Sequence, residues 1–115
     1  MIRKNNELIT EARENMRGGD GTVKITNYAG KDDMHGKARL FAEILLEPGC
    51  GIGAHTHEGE SEFFYIRSGK AVYNDNGTER EVAAGDVTVC APGESHSIRN
   101  PYDEPAVVTA LIVLA

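Results

Sequence analysis

The strongest constraint on this chain is that, from Thr22 to the C-terminus, no segment is long and regular enough for a helix. Short β-prone runs take its place: TVKITNY, ARLFAEILLE, SEFFYIR, KAVYND, REVAA, DVTVCA, SHSIR and AVVTALIVLA. Between them stand turn sequences, EPGCGIG (47–53), NDNG (74–77), AAGD (83–86), APGE (91–94) and NPYDEP (100–105). Gly reaches positive φ without steric cost, Pro presets φ, and Asn and Asp bond back to their own backbone, so each separator reverses the chain. Many short strands at close spacing predict an all-β sandwich or barrel.

Alternation in RLFAEILLE places Arg39, Glu43 and Glu47 on one parity and Leu40, Ala42, Ile44 and Leu46 on the other, so one face of that strand is expected in the core. In SEFFYIR the same rule makes one parity of Phe63, Phe64, Tyr65 and Ile66 core, and the other a sheet-packing or subunit face.

The first residues read differently. Leu8, Ala12 and Met16 are four apart, which is helical spacing, and GGDG at 18–21 ends the pattern. The expected organisation is an N-terminal arm over residues 1–21, as a short helix or mobile arm, followed by one β-barrel domain over residues 22–115, with no internal repeat. A chain of 115 residues fits one domain with an ordinary core.

Charge and hydropathy narrow the function. A formal net charge of -6 and the lack of a basic run leave no attraction for nucleic acid or anionic lipid. The longest apolar stretch, AVVTALIVLA, is half of the ~20 residues a membrane helix needs, and MIRKNNELITEAREN carries no signal-type hydrophobic region, so a cytoplasmic protein is expected. Cys50 and Cys90 are too few for a disulfide framework and are expected as reduced thiols.

The chemistry concentrates in HTHEGESEFFYIRSG, residues 55–69. In a strand, residues two apart share a face, so His55 and His57 can turn toward one point. Neutral imidazole suits Zn, Fe, Mn, Ni or Cu, and two imidazoles with a carboxylate make a set that leaves coordination positions open. Three glutamates compete for the carboxylate role. Glu58 follows His57 and points to the opposite face, Glu60 falls in the EGES turn and is expected to be solvated, and Glu62 opens the next strand and can point inward. The fourth ligand is expected from His96 in APGESHSIRN, since His35 in KDDMHGK reads as an exposed loop residue.

With these residues in place the sequence resembles the cupins. Their first motif, Gly, five residues, His-x-His, three or four residues, Glu, six residues, Gly, is matched by Gly49, His55, His57, Glu62 and Gly69. Their second, Gly, five residues, Pro-x-Gly, two residues, His, three residues, Asn, is matched by Gly85, Gly93, His96 and Asn100, with Ala91 where the family has its first proline. The resemblance covers roughly residues 35 to 115. It implies a double-stranded β-helix barrel of jelly-roll type, with His55, His57, Glu62 and His96 on one divalent metal ion per chain (Mn, Fe, Zn or Ni). It also implies a homodimer through outer strands.

The function expected from this resemblance is a metal-dependent enzyme acting on a small carboxylate or other oxygenated metabolite, with chemistry like that of oxalate decarboxylases or dioxygenases. Two other readings stand beside it: a non-catalytic domain that binds or senses a small ligand, and a sugar isomerase or epimerase. Arg39 is the first arginine to test for substrate binding, although its parity places it outward, as for Arg67 and Arg99. Glu60 is the acid to test for catalysis, because it lies between metal ligands in the chain.

Overall fold

The computed structural model describes residues 1–115 and contains ten strands: β1 (Ile9–Glu14), β2 (Thr22–Asn27), β3 (Ala38–Leu46), β4 (Gly51–Thr56), β5 (Glu60–Ser68), β6 (Lys70–Asp75), β7 (Thr78–Ala83), β8 (Val87–Cys90), β9 (Ser95–Arg99) and β10 (Ala106–Leu114). They form a six-stranded sheet in the order β1-β2-β3-β10-β5-β8 and a four-stranded sheet in the order β4-β9-β6-β7. Every pairing is antiparallel. The expected jelly-roll barrel is what the chain builds.

The core lies between the two sheets and follows the alternation read from the sequence. Ala42, Ile44 and Leu46 of β3, Phe64 and Ile66 of β5, Ile98 of β9 and Val108 of β10 are all buried. Burying each such aliphatic or aromatic side chain stabilises the fold by roughly 1.5–3 kcal/mol. On the outer parity Phe41, Leu111, Phe63 and Val89 stand directly opposite one another across β3, β10, β5 and β8.

The N-terminal helix expected at residues 5–17 is not formed. That stretch holds only two single 3-10 turns, Asn5–Glu7 and Met16–Gly18, and between them β1 pairs residue for residue with β2, from Ile9↔Asn27 to Glu14↔Thr22. Ladder bonds to an existing sheet edge outweigh the weak helical preference of a short segment. Glycines fix where this segment lands. A Cβ on Gly53 of β4 would sit 2.0 Å from the Arg17 carbonyl oxygen, and one on Gly19 would sit 2.3 Å from that of Gly51.

Two irregularities aim side chains at one end of the barrel. Ile52↔Ile98 is followed by His55↔His96, so β4 carries an extra residue against β9, and Ile52 and His55 face the same interior despite their odd spacing. On β3, Leu40 pairs with Ile112 and Ala38 with Val113, which leaves Arg39 as the extra residue of a bulge. Bulges bend the strand and re-aim a side chain relative to simple alternation.

Candidate metal centre

Four side chains converge inside the barrel: His55 from β4, His57 just past its end, Glu62 from β5 and His96 from β9. One ligand atom from each lies within 4.8 Å of all the others. The Nε2 atoms of His55 and His57 are 3.1 Å apart, those of His57 and His96 3.0 Å, and those of His96 and His55 3.2 Å. Glu62 Oε1 lies 2.9 Å from His57 Nε2 and 3.0 Å from His96 Nε2, and makes no ion-pair contact with His55.

These spacings fit a bound cation. At a ligand distance of about 2.1 Å, adjacent donors of an octahedron are about 3.0 Å apart and opposite donors about 4.2 Å, while the edge of a tetrahedron is about 3.4 Å. His55, His57, Glu62 and His96 would together hold such an ion, with the Glu62 oxygen close to both His57 and His96. Four protein donors would leave a six-coordinate ion positions for other ligands.

The outer ring nitrogens are also engaged. His55 Nδ1 bonds the Gly53 carbonyl at 2.8 Å, His57 Nδ1 bonds the Glu60 carboxylate, and His96 Nδ1 meets the Tyr73 hydroxyl at 2.8 Å. Such outer partners fix ring orientation and raise ligand basicity. The Phe64 ring stacks on His96 with centroids 5.2 Å apart and planes 16° from parallel. Burial holds the His55 imidazole below its ordinary pKa, which favours the neutral, ligating form.

Glu60 departs from the expectation of a solvated turn residue. The turn is completed by Glu58 and Gly59, with Gly59 at φ +68°, so β5 begins at Glu60, which shares the inward parity of Glu62 and is only 9% exposed. Its carboxylate accepts two bonds from Arg39, from Nε and Nη2, each at 2.7 Å, and faces His57 Nδ1 with its second oxygen. The Arg39 guanidinium first, and then His57, hold the Glu60 pKa down at about 2. The signal that would have found this residue is Gly59, which marks the turn's end one residue before Glu60.

Arg39 departs likewise from its outward expectation, since at the bulge of β3 its side chain turns to the barrel mouth and lines the cavity beside the cluster. Arg67 and Arg99 do lie outside, paired with Glu43 and Glu79, and His35 is exposed in its loop. The cavity measures about 480 Å³ and is lined by His55, His57 and Glu62 below, by Leu40, Ile44 and Ile112 on its wall, and by β1 and its following turn above. Glu11 of β1, opposite Ile25 in the ladder, is a lining residue that the sequence did not single out.

Comparison with known proteins gives a consistent picture. Residues 42–113 match the model of the cupin domain. The chain is 44% identical over 114 residues to the oxalate-binding protein of Thermotoga maritima, covering 99% of this chain and 94% of that one. A solved structure from the same organism, described as a predicted oxalate decarboxylase, superposes with a TM-score of 0.95 at 43% identity over the full length of both chains. A double-stranded β-helix protein of Klebsiella pneumoniae shares the fold, with a TM-score of 0.69 at 20% identity over 98% of this chain and 82% of that one.

Proposed function

The chain belongs to the cupin family, and from that footing we propose that it captures a small dicarboxylate of the oxalate class on the metal ion held by His55, His57, Glu62 and His96. The observation that carries this reading is the donor set: three imidazoles and one carboxylate would hold a divalent ion and leave positions for exogenous ligands, which suits an acid that chelates through two oxygens. Three neutral imidazoles and one carboxylate leave a divalent ion with a charge of about +1, which favours an anionic chelator. The 44% identity to a protein named for oxalate binding supports the same ligand class.

The bound ion supplies Lewis-acid attraction for carboxylate oxygens. The residues of this chain do the rest. Glu60 and the Gly53 carbonyl hold the His57 and His55 rings so that each offers Nε2, and the apolar wall of Leu40, Ile44 and Ile112 excludes water around the ligand. Arg39, at the cavity edge, draws anions toward the mouth, while its bond to Glu60 keeps that carboxylate charged and unable to act as a proton donor at neutral pH.

An enzymatic reading, decarboxylation or oxidation of the same small acid, has one observation in its favour: Glu11 faces the cavity from β1, with its Oε1 3.5 Å from Asn27 Nδ2 and its Oε2 3.3 Å from Arg13. The sugar isomerase reading fares worse, since the wall offers isoleucine and leucine where a sugar needs polar partners. A homodimer through the outer row of Phe41, Leu111, Phe63 and Val89 completes the proposal.

Calorimetric titration of metal-loaded protein with oxalate, malonate and acetate tests the binding. Oxalate is expected to bind tightest and acetate weakest, and equal affinity for the three would overturn the chelate reading. Assay of the same mixtures for formate and carbon dioxide separates the two readings: binding without turnover supports capture, and turnover lost in Glu11→Gln supports the enzyme.

A further inference from the structure

The cavity over the metal centre is larger than oxalate requires. Its volume of about 480 Å³ falls within the roughly 300–1,000 Å³ typical of sites for drug-sized ligands, whereas oxalate is two carboxylates and nothing more. Its surface is also divided. His55, His57 and Glu62 lie at one end, Leu40, Ile44 and Ile112 form an apolar wall, and β1 brings charge to the other end.

That charge comes from Glu11 and Arg13, which sheet register turns inward. Glu11 stands opposite Ile25 and Arg13 opposite Val23, and partners in an antiparallel ladder share a face of the sheet. Ile25 and Val23 are core residues, 3% and 0% exposed, so Glu11 and Arg13 project from the inner face, and both line the cavity.

We propose that the cavity selects acids with two ends: a 2-hydroxy or 2-oxo carboxylate that chelates the metal ion, and a second anionic group, joined to it by a short aliphatic chain, that pairs with Arg13. This inference rests on the reading that the centre holds a metal ion and captures a chelating acid, and it extends that reading from oxalate to longer acids.

Arg13 is the arginine with donors to spare. Arg39 is occupied, since its Nε and Nη2 both bond Glu60 at 2.7 Å. Arg17 also borders the cavity, but from the turn after β1, where no ladder partner fixes its direction. Arg13 meets Glu11 Oε2 through Nη2 at 3.3 Å, longer than the about 2.7–2.9 Å of a strong charge-assisted bond. A guanidinium carries five N–H donors, so most of the fork is left for a ligand.

The Glu11–Arg13 pair is also easily exchanged. Its side chains are 43% and 52% exposed, and pairs in that setting hold weakly. Glu11 can yield Arg13 and keep Asn27, whose Nδ2 lies 3.5 Å from its Oε1. A ligand carboxylate can give Arg13 two oxygens, the bidentate geometry that Glu11 does not achieve. Between the two ends, leucine and isoleucine offer polar substituents no partner, which favours plain methylenes there.

Calorimetric titration of zinc-loaded protein with oxalate, 2-hydroxyglutarate and 2-hydroxyvalerate tests the proposal. The last two share a chelating head and a chain length and differ only in the terminal carboxylate. In wild type 2-hydroxyglutarate is expected to bind on the order of tenfold tighter than 2-hydroxyvalerate, and in Arg13→Gln the preference is expected to vanish while oxalate binds nearly as before. Glu11→Gln is expected to raise the preference by removing the competitor for Arg13, whereas a damaged fold would weaken all three ligands together. No preference in wild type, no rise in Glu11→Gln, or a loss in Arg17→Gln equal to that in Arg13→Gln overturns the proposal and leaves the capture of oxalate standing. Failure of oxalate itself to bind overturns both.

Discussion

Replacing Glu60 by Gln gives the sharpest test of how the centre is held. The wild-type carboxylate accepts two bonds from Arg39 at 2.7 Å each and one from His57. A glutamine has one carbonyl oxygen and one NH2 group, so it cannot accept at both oxygen positions: with its oxygen toward His57 and Arg39 Nη2 it turns its NH2 on Arg39 Nε, and with its oxygen toward Arg39 Nε it turns its NH2 on His57 and Arg39 Nη2. Losing charge-assisted bonds costs about 1.5–3 kcal/mol, and the 46% exposure of the Arg39 side chain places this pair near the lower end. For a domain this size, about 1.5 kcal/mol lowers the melting temperature by roughly 6 °C. The larger effect is on the metal. With the His57 tautomer no longer fixed, affinity is expected to fall 10- to 100-fold, equivalent to about 1.4–2.7 kcal/mol. Paired measurements of zinc affinity by competition with a chelator dye and of melting temperature read the two effects separately. The pH dependence adds a check. Because the folded pKa of about 2 lies below the ordinary 4.5, Glu60 contributes stability that is full above pH 4.5 and lost as pH falls toward 2. The stability gap between metal-stripped wild type and variant is therefore expected to be flat above pH 4.5 and to shrink below it. Unchanged zinc affinity with an unchanged acid limb would refute the role assigned to Glu60.

Four further outcomes follow from the structure. Elemental analysis of purified protein is expected to find about one divalent ion per wild-type chain and far less in His96→Ala and Glu62→Gln; equal content in all three removes the metal assignment. Gly69→Ala is expected to destabilise by about 2 kcal/mol or more in denaturant titration, because Gly69 has φ +77° and an added Cβ would lie 2.3 Å from the Pro105 carbonyl oxygen. Burial pushes the Cys90 thiol up to about 11, so a thiol reagent at pH 8 is expected to label Cys50 quickly and Cys90 only on unfolding, as counted by intact mass. Val89, 51% exposed at the end of the outer apolar row, is expected to lie in the homodimer contact, so Val89→Glu should shift the sedimentation mass from two chains toward one; an unchanged mass places the contact elsewhere.

The parts of the site legible in the sequence are those fixed by local rules. His55 and His57 share a face because residues two apart in a strand do, and Glu62 and His96 fall at the spacings shared with the cupins. The inward parity of β3 and β5 likewise needed only alternation. Glu60 escaped because its environment depended on where the turn ended, and one residue of turn length decides which face a strand's side chains take. Arg39 escaped for a related reason: a bulge overrides parity, and the sequence of β3 carries no sign of one. The N-terminal segment took the wrong secondary structure because Leu8, Ala12 and Met16 fit a helix locally, whereas an available sheet edge lies outside any local window.

By itself, then, the sequence determined the alternation that makes a barrel and the four side chains that meet inside it, since both follow from spacing along the chain. Only the tertiary structure decided what surrounds them. The carboxylate behind His57, the phenol behind His96, 23 positions away in the chain, and the strand over the cavity, more distant still, are brought together by turn length and sheet register, where burial removes water as the alternative partner and makes each hydrogen bond count.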